Sequence, residues 1–223
     1  MVNKQTDRSR DRAREDYLKA IYHLSDGSAV KAAVLARHLR VSRASVSKIR
    51  RVLEHDGLIG RARRRADALT LTRRGLGLAV RVVRRHRLVE TFLYRSLGVP
   101  LERLHRAAEK LEHSISDDVA RRLSDFLGNP KRDPHGHPIP GTGSEKRERR
   151  ELTLATVVPG TKIVVVSLDD GDEKVVRKLD ALGVLPGMRA TVVSNRSGIT
   201  LRTADQDIVV SLIAAGRVRC VAR

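Results

Sequence analysis

The chain has no tryptophan, only two phenylalanines and three tyrosines in 223 residues. A core without large rings must be built from Leu, Val, Ile and Ala, and a hydrophobic content of 40% supplies enough of them. Cysteine is also scarce. The single Cys220 excludes an intramolecular disulfide and a cysteine-rich zinc site, and its expected place is a small buried position in a C-terminal strand. No apolar run reaches membrane-spanning length, and the N-terminus is polar and charged, without the apolar segment of a signal peptide. A cytoplasmic protein with no membrane partner is expected. There is no glycine-rich phosphate loop and no Ser/His/Asp or Cys/His nucleophile arrangement, so no enzyme is expected.

Acidic residues are outnumbered, 26 against 45 Lys+Arg, for a net charge of +19. Residues 1–80 carry 19 basic and 8 acidic side chains, residues 81–150 carry 16 and 10, and residues 151–223 carry 10 and 8, giving +11, +6 and +2. The excess sits at the N-terminal end, as expected of a polyanion-binding domain joined to more neutral ones.

Periodicity divides the chain. Residues 1–12 are polar and basic and read as disordered. Tyr17, Leu18, Ile21, Tyr22 and Leu24 then mark a helix, and Ala32 to Leu39 a second. Ser42 is a good N-cap for a third helix, Arg43 to His55, which Gly57 ends. Leu58–Gly60 and Ala68–Leu71 read as short strands around a basic turn carrying Arg61, Arg63, Arg64 and Arg65. This is the order of a winged helix-turn-helix domain, expected at 1–72. A helical domain is expected at 73–141: Arg73 to Leu97, Leu101 to Ser114, and Asp117 to Leu127, then a Pro-rich loop. Residues 142–150 read as a charged linker. From Leu152 the period changes to two, predicting a small barrel of about five strands at 151–223, interrupted by a helix at Glu173 to Leu182. The fold class is mainly α with a small β-domain.

The helical part carries His86-x3-Glu90 and His105-x3-Glu109-x2-Glu112-His113. Helical residues three or four apart share a face. Six imidazole and carboxylate groups therefore fall on two neighbouring faces, with no thiolate among them. Such ligands suit Mn²⁺ or Fe²⁺ better than a structural zinc ion. A lone His-x3-Glu is usually a solvated pair; two runs a hairpin apart favour a metal. His135 and His137 stand among prolines that give no regular ligand face and are read as loop structure.

Glu15-Asp16-Tyr17-Leu18, Arg85-His86-Arg87-Leu88-Val89-Glu90, Leu111-Glu112-His113-Ser114-Ile115-Ser116-Asp117 and the Gly128–Gly141 loop resemble the diphtheria toxin repressor family of iron and manganese regulators. The resemblance covers nearly the whole chain. It implies a winged helix domain, a helical dimerisation domain and an SH3-like barrel in that order. It also implies two metal positions. One would take Asp16, Glu109, Glu112 and His113. The other would take His86, Glu90, His105 and an acid of the barrel cluster Asp169 to Glu173, with Asp172 the first choice over Asp170 and Glu173. The iron-responsive branch has sulfur ligands where this chain has Glu109 and Asp16; carboxylates there match the manganese-responsive branch. Lys19 replaces a further acid of the compact manganese regulators, which directs the second metal to His86, Glu90 and His105.

The recognition helix opens at Ser42-Arg43-Ala44-Ser45-Val46-Ser47-Lys48. Arg43, Ser45 and Lys48 are expected to face a DNA groove and Val46 and Ile49 the core, with Ser42, Ala44 and Ser47 allowing close approach. Arg63 and Arg64 are expected to contact phosphate. The reading is a homodimeric, Mn²⁺-activated regulator bound to a palindromic double-stranded operator, with an Fe²⁺-responsive regulator or a metalloenzyme as alternatives.

Overall fold

The computed structural model describes residues 4–25, 28–62, 65–141 and 151–223. The chain divides into two compact units, Met1–Arg85 and His86–Arg223. The expected linker at 142–150 lies outside the described residues.

In the first unit, α1 (Lys4–Leu24) starts well inside the segment expected to be disordered. Its charges are spaced for a helix: Arg14 pairs with Asp11 one turn back at 3.2 Å and also reaches Asp56 at 2.8 Å. Then follow β1 (Val30–Lys31), α2 (Ala32–His38), α3 (Arg43–His55), β2 (Ile59–Ala62) and β3 (Arg65–Leu71). The antiparallel sheet has the order β1-β3-β2. Strand β1 is too short for alternation to show in the sequence; it forms because Val30 pairs with Leu69. Leu18, Ile21, Leu35, Val46, Leu53 and Leu69 make the core, as the helical period requires. Helix α4 (Arg73–Leu97) starts against β2's entry, where a Cβ on Gly75 would stand 1.9 Å from the Leu58 carbonyl oxygen.

In the second unit, the helix expected from Leu101 to Ser114 is broken at both ends. A 3-10 turn (Leu101–Arg103) precedes α5 (Leu104–Leu111), and a second one (Glu112–Ser114) follows it. The change from 3.6 to about 3.0 residues per turn rotates Glu112 off the stripe of His105 and Glu109. Glu112 is fully buried, whereas the Glu109 side chain is 47% exposed. Helix α6 (Asp117–Phe126) is capped by Ser116, whose hydroxyl accepts from the Val119 amide.

The loop that follows crosses onto β5 (Lys162–Leu168): the Leu168 amide donates to the His135 carbonyl at 2.9 Å. Gly136 makes this possible. Its φ is +91°, and a Cβ would stand 2.1 Å from the Val166 carbonyl oxygen. Strand β4 (Leu152–Thr153), β5, α7 (Glu173–Ala181), β6 (Arg189–Ser194), β7 (Ile199–Arg202), β8 (Asp207–Val210), α8 (Leu212–Ala215) and β9 (Val218–Ala222) complete the unit. The antiparallel sheet has the order β4-β9-β5-β6-β7-β8, one strand more than expected, since β4 contributes only Leu152 and Thr153. Cys220 lies buried on β9 opposite Leu152. One apolar core runs from Val89, Leu93 and Leu104 through Val165, Leu179 and Leu201. It holds α4, α5 and the sheet together and thereby fixes the loops between them.

Candidate metal centre and nucleic-acid interface

His86 and Glu90, one turn apart on α4, face His105 on α5. His86 Nε2 stands 3.1 Å from Glu90 Oε1 and 3.1 Å from His105 Nδ1, and His105 Nδ1 stands 3.7 Å from Glu90 Oε1. From the turn after β5, Asp170 Oδ2 comes within 3.3 Å of His105 Nδ1. These four side chains each offer a ligand atom within 4.8 Å of the others. Asp170 thus occupies the place for which Asp172 was the first choice. The Asp172 carboxylate instead caps α7, accepting from the amides of Lys174 at 3.0 Å and Val175 at 3.3 Å. Asp169 pairs with Arg217 at 2.7 Å, and Glu173 stands 3.6 Å from Arg106.

Glu90 has no exposure, and neither of its oxygens makes a hydrogen bond among the described residues. A buried carboxylate without hydrogen bonds is costly unless a cation compensates it. Three imidazole nitrogens face it, those of His86 at 3.1 Å, His105 at 3.7 Å and His135 at 3.7 Å. Burial would raise its pKa, but the field of His86 and the facing His105 hold it well below the usual carboxylate range. For His105, burial would lower the pKa; Asp170, Glu109 and Glu90 outweigh it and push it up to about 12. The facing carboxylates thus favour the protonated His105 ring when no metal is bound. The donors are nitrogen and oxygen only, which fits a hard or borderline divalent ion.

Glu112 and His113 lie close by in the second 3-10 turn. The Glu112 carboxylate is hydrogen-bonded to His86 Nδ1, and His113 Nε2 stands 3.3 Å from Glu112 Oε1. Glu109 Oε1 lies 3.4 Å from His105 Nε2. Asp16 is half-buried on α1 of the first unit. The sequence reading left out Asp133, His135 and His137 as ligand candidates. His135 Nδ1 stands 3.7 Å from both Glu90 and Asp170, and His137 Nδ1 3.4 Å from Asp133 Oδ2. The signal was the alternation Asp133-x-His135-x-His137, hidden by the prolines around it.

In the first unit the Ser42 hydroxyl caps α3, accepting from the Ser45 amide at 3.0 Å, and its oxygen lies 2.9 Å from Ser45 Oγ. Ser42, Arg43, Ala44, Ser45, Ser47 and Lys48 are exposed along one face, while Val46 is buried and Ile49 half-buried. Apolar positions three apart put the core on one side and leave the basic and small side chains on the other. Arg63 and Arg64 lie outside the described residues. Among the described residues no helix is long and apolar enough to cross a membrane.

Residues 11–66 match the family described as iron dependent repressor, N-terminal DNA binding domain. Residues 72–141 match the iron dependent repressor, metal binding and dimerisation domain, and residues 152–221 the FeoA domain. The iron-dependent repressor IdeR of Mycobacterium tuberculosis is 36% identical over 197 residues, 82% of this chain and 85% of the relative. The diphtheria toxin repressor of Corynebacterium diphtheriae is 36% identical over 154 residues, 67% of this chain and 64% of the relative. A solved manganese-dependent transcriptional repressor in complex with manganese superposes with a TM-score of 0.83 at 32% identity, covering 94% of this chain and all of the other.

Proposed function

The chain belongs to the diphtheria toxin repressor family of metal-dependent transcriptional repressors, and from that membership we propose a cytoplasmic, Mn²⁺-responsive regulator that binds a palindromic operator as a homodimer. It is a DNA-binding protein of a non-enzyme family. The observation that carries the metal reading is the buried Glu90 carboxylate, facing three imidazoles without a hydrogen bond. The ligand set has no sulfur, which favours manganese. An iron reading draws on the relatives that are iron-dependent repressors.

One metal position is assigned to His86, Glu90, His105 and Asp170. The other is assigned, on the family resemblance, to Asp16, Glu109, Glu112 and His113. A bound ion would supply positive charge that lets these carboxylates stand together. Asp16 belongs to the DNA-binding part of the sequence and Glu112 to the dimerisation part, so metal would favour one arrangement of the two. The competent arrangement presents two recognition helices about 34 Å apart, one turn of DNA. Moving it from 1% to 99% of the population takes a preference of about 5.5 kcal/mol. Arg43 and Lys48 would reach bases or phosphates, and Arg63 and Arg64 phosphates.

Gel-shift titration of an operator with Mn²⁺, with Fe²⁺ under anaerobic conditions, and with chelator tests this reading. Mn²⁺ should activate binding at least as well as Fe²⁺, and the double change Asp16→Met with Glu109→Cys should shift the response toward iron. Indifference to Mn²⁺ across the micromolar range with a response to Fe²⁺ would establish the iron reading. Metal-independent binding would end both.

A further inference from the structure

Arg14, Glu15 and Asp16 are consecutive on α1, so their side chains leave the helix about 100° apart. Arg14 and Glu15 are held by different elements. Arg14 Nη2 stands 2.8 Å from Asp56 Oδ2, at the C-cap of α3. The Glu15 carboxylate accepts from Arg85 Nη2 on α4, 70 residues along the chain. Asp56 is itself tied to α4, since its carbonyl accepts from Arg74 Nη1 at 3.2 Å. Asp16, the next residue, is the proposed ligand. Buried apolar packing starts only after it: among the described side chains of α1, Tyr17 is the first that is buried. At the ligand's end the helix is therefore held by ion pairs.

The competing reading is a set of solvated surface pairs, which contribute little. Arg14–Asp11, one turn apart with the Asp11 side chain 66% exposed, is such a pair. The other two differ. The Glu15 and Arg85 side chains are only 25% and 12% exposed, and that of Asp56 23%. Both pairs join separate elements, so they fix tertiary geometry and not merely a helical turn. They also pull on consecutive residues in different directions, which resists rotation of α1 about its own axis. Rotation matters at Asp16. A side-chain tip about 5–6 Å from the axis moves about 2 Å on a roll of about 20°. That is roughly the length of a metal–oxygen bond, whereas a ligand group needs placement within about 0.5 Å.

We infer that Arg14, Glu15 and Arg85 are positioning residues: the pairs Arg14–Asp56 and Glu15–Arg85 clamp the rotation of α1 and so aim the Asp16 carboxylate. The first pair also ties that aim to the recognition helix, because Asp56 closes α3. The inference rests on the reading of Asp16 as a metal ligand.

The sign of the charge separates positioning from a plain field effect. Through its field alone Arg85 would repel a cation at Asp16, so Arg85→Gln would lower the Mn²⁺ requirement, while Glu15→Gln would raise it. Positioning makes both raise it. The experiment titrates the full chain with Mn²⁺, reading metal uptake by equilibrium dialysis and operator binding by fluorescence anisotropy. Circular dichroism of the metal-free chain checks folding. Glu15→Gln, Arg85→Gln and Arg14→Gln should each need about tenfold more Mn²⁺ for half-maximal operator binding. Glu15→Gln combined with Arg85→Gln should be no worse than either alone, because one pair is lost in all three. A merely structural role would lower the melting temperature without moving the Mn²⁺ midpoint. A wild-type or lower Mn²⁺ requirement in Arg85→Gln would overturn the inference, and Arg14→Gln decides in the same way if Arg85→Gln does not fold. Asp16→Asn tests the underlying reading: a wild-type response there overturns the ligand assignment and the inference with it. An impaired Asp16→Asn beside a wild-type Arg85→Gln overturns the inference alone.

Discussion

His86 is hydrogen-bonded to Glu112 through Nδ1, while Nε2 of the same ring stands 3.1 Å from Glu90 Oε1. The family resemblance implies Glu112 in one ligand set and His86 in the other. One imidazole touching both carboxylates makes the two sets neighbours within the second unit, so a change at His86 should be felt at each.

His86→Ala should therefore do more than weaken one metal position. It removes the imidazole facing two fully buried carboxylates, a kind of loss that costs about 3–5 kcal/mol. Urea unfolding of the metal-free protein should show this loss of stability, and Mn²⁺ titration should show operator binding impaired beyond a simple shift to higher metal. Wild-type urea stability, with only a shifted titration, would mean that His86 serves a single position.

Manganese affinity should rise with pH. His105, pushed up to about 12, is an imidazolium in the metal-free protein, and ligation requires the neutral ring. Binding then releases a proton, so affinity should increase by about tenfold per pH unit for each proton displaced, between about pH 6 and 8. Glu90 is already ionised there and adds nothing to the slope. The sign reverses for the metal-free fold. The stabilisation that His105 gains from its carboxylates is complete below its ordinary value of 6.5 and is lost as pH rises toward about 12. Calorimetry in buffers of different ionisation enthalpy measures the proton release, and a pH-independent affinity would refute it.

Gly136→Ala should loosen the loop that carries His135. The position has φ +91°, and a Cβ would press on the Val166 carbonyl at 2.1 Å, so both backbone strain and a clash act against the substitution. A loss larger than the ~1 kcal/mol by which the same change stabilises a compatible glycine site is expected. Thermal melting and amide exchange at Leu168, whose amide donates to His135, would read it. An unchanged melting temperature with a protected Leu168 amide would show that the loop can shift without cost.

Arg43→Ala and Lys48→Ala should weaken operator binding, at a cost of about 1–3 kcal/mol if either contacts guanine, with relaxed preference at that base pair. Arg63→Ala and Arg64→Ala should act alike on all sequences and lower the salt slope by about one unit each. Quantitative gel shifts across salt concentrations separate the two behaviours. Unchanged binding in all four variants would place the DNA elsewhere on the chain.

Capping and periodicity determined where α3 begins and ends and where α4 runs, and Ser42 and Gly57 punctuate α3 as expected. Spacing placed His86 beside Glu90, and composition put the basic excess on the N-terminal unit. These are local properties: a helix face and a cap depend on neighbours within a turn or two. The N-terminal reading failed where polarity was taken for disorder, because the pairs Arg14–Asp11 and Arg14–Asp56 and the buried Tyr17–Leu18–Ile21 stripe hold α1. The tertiary structure decided the rest. It brought Asp170 rather than Asp172 beside His105, because the Asp172 carboxylate caps α7. It turned Glu112 inward at a 3-10 turn and laid the Gly128–Gly141 loop on β5, bringing His135 to Glu90. Residues 45 or more apart in sequence met there through the packing of one apolar core, and no local rule encodes that approach.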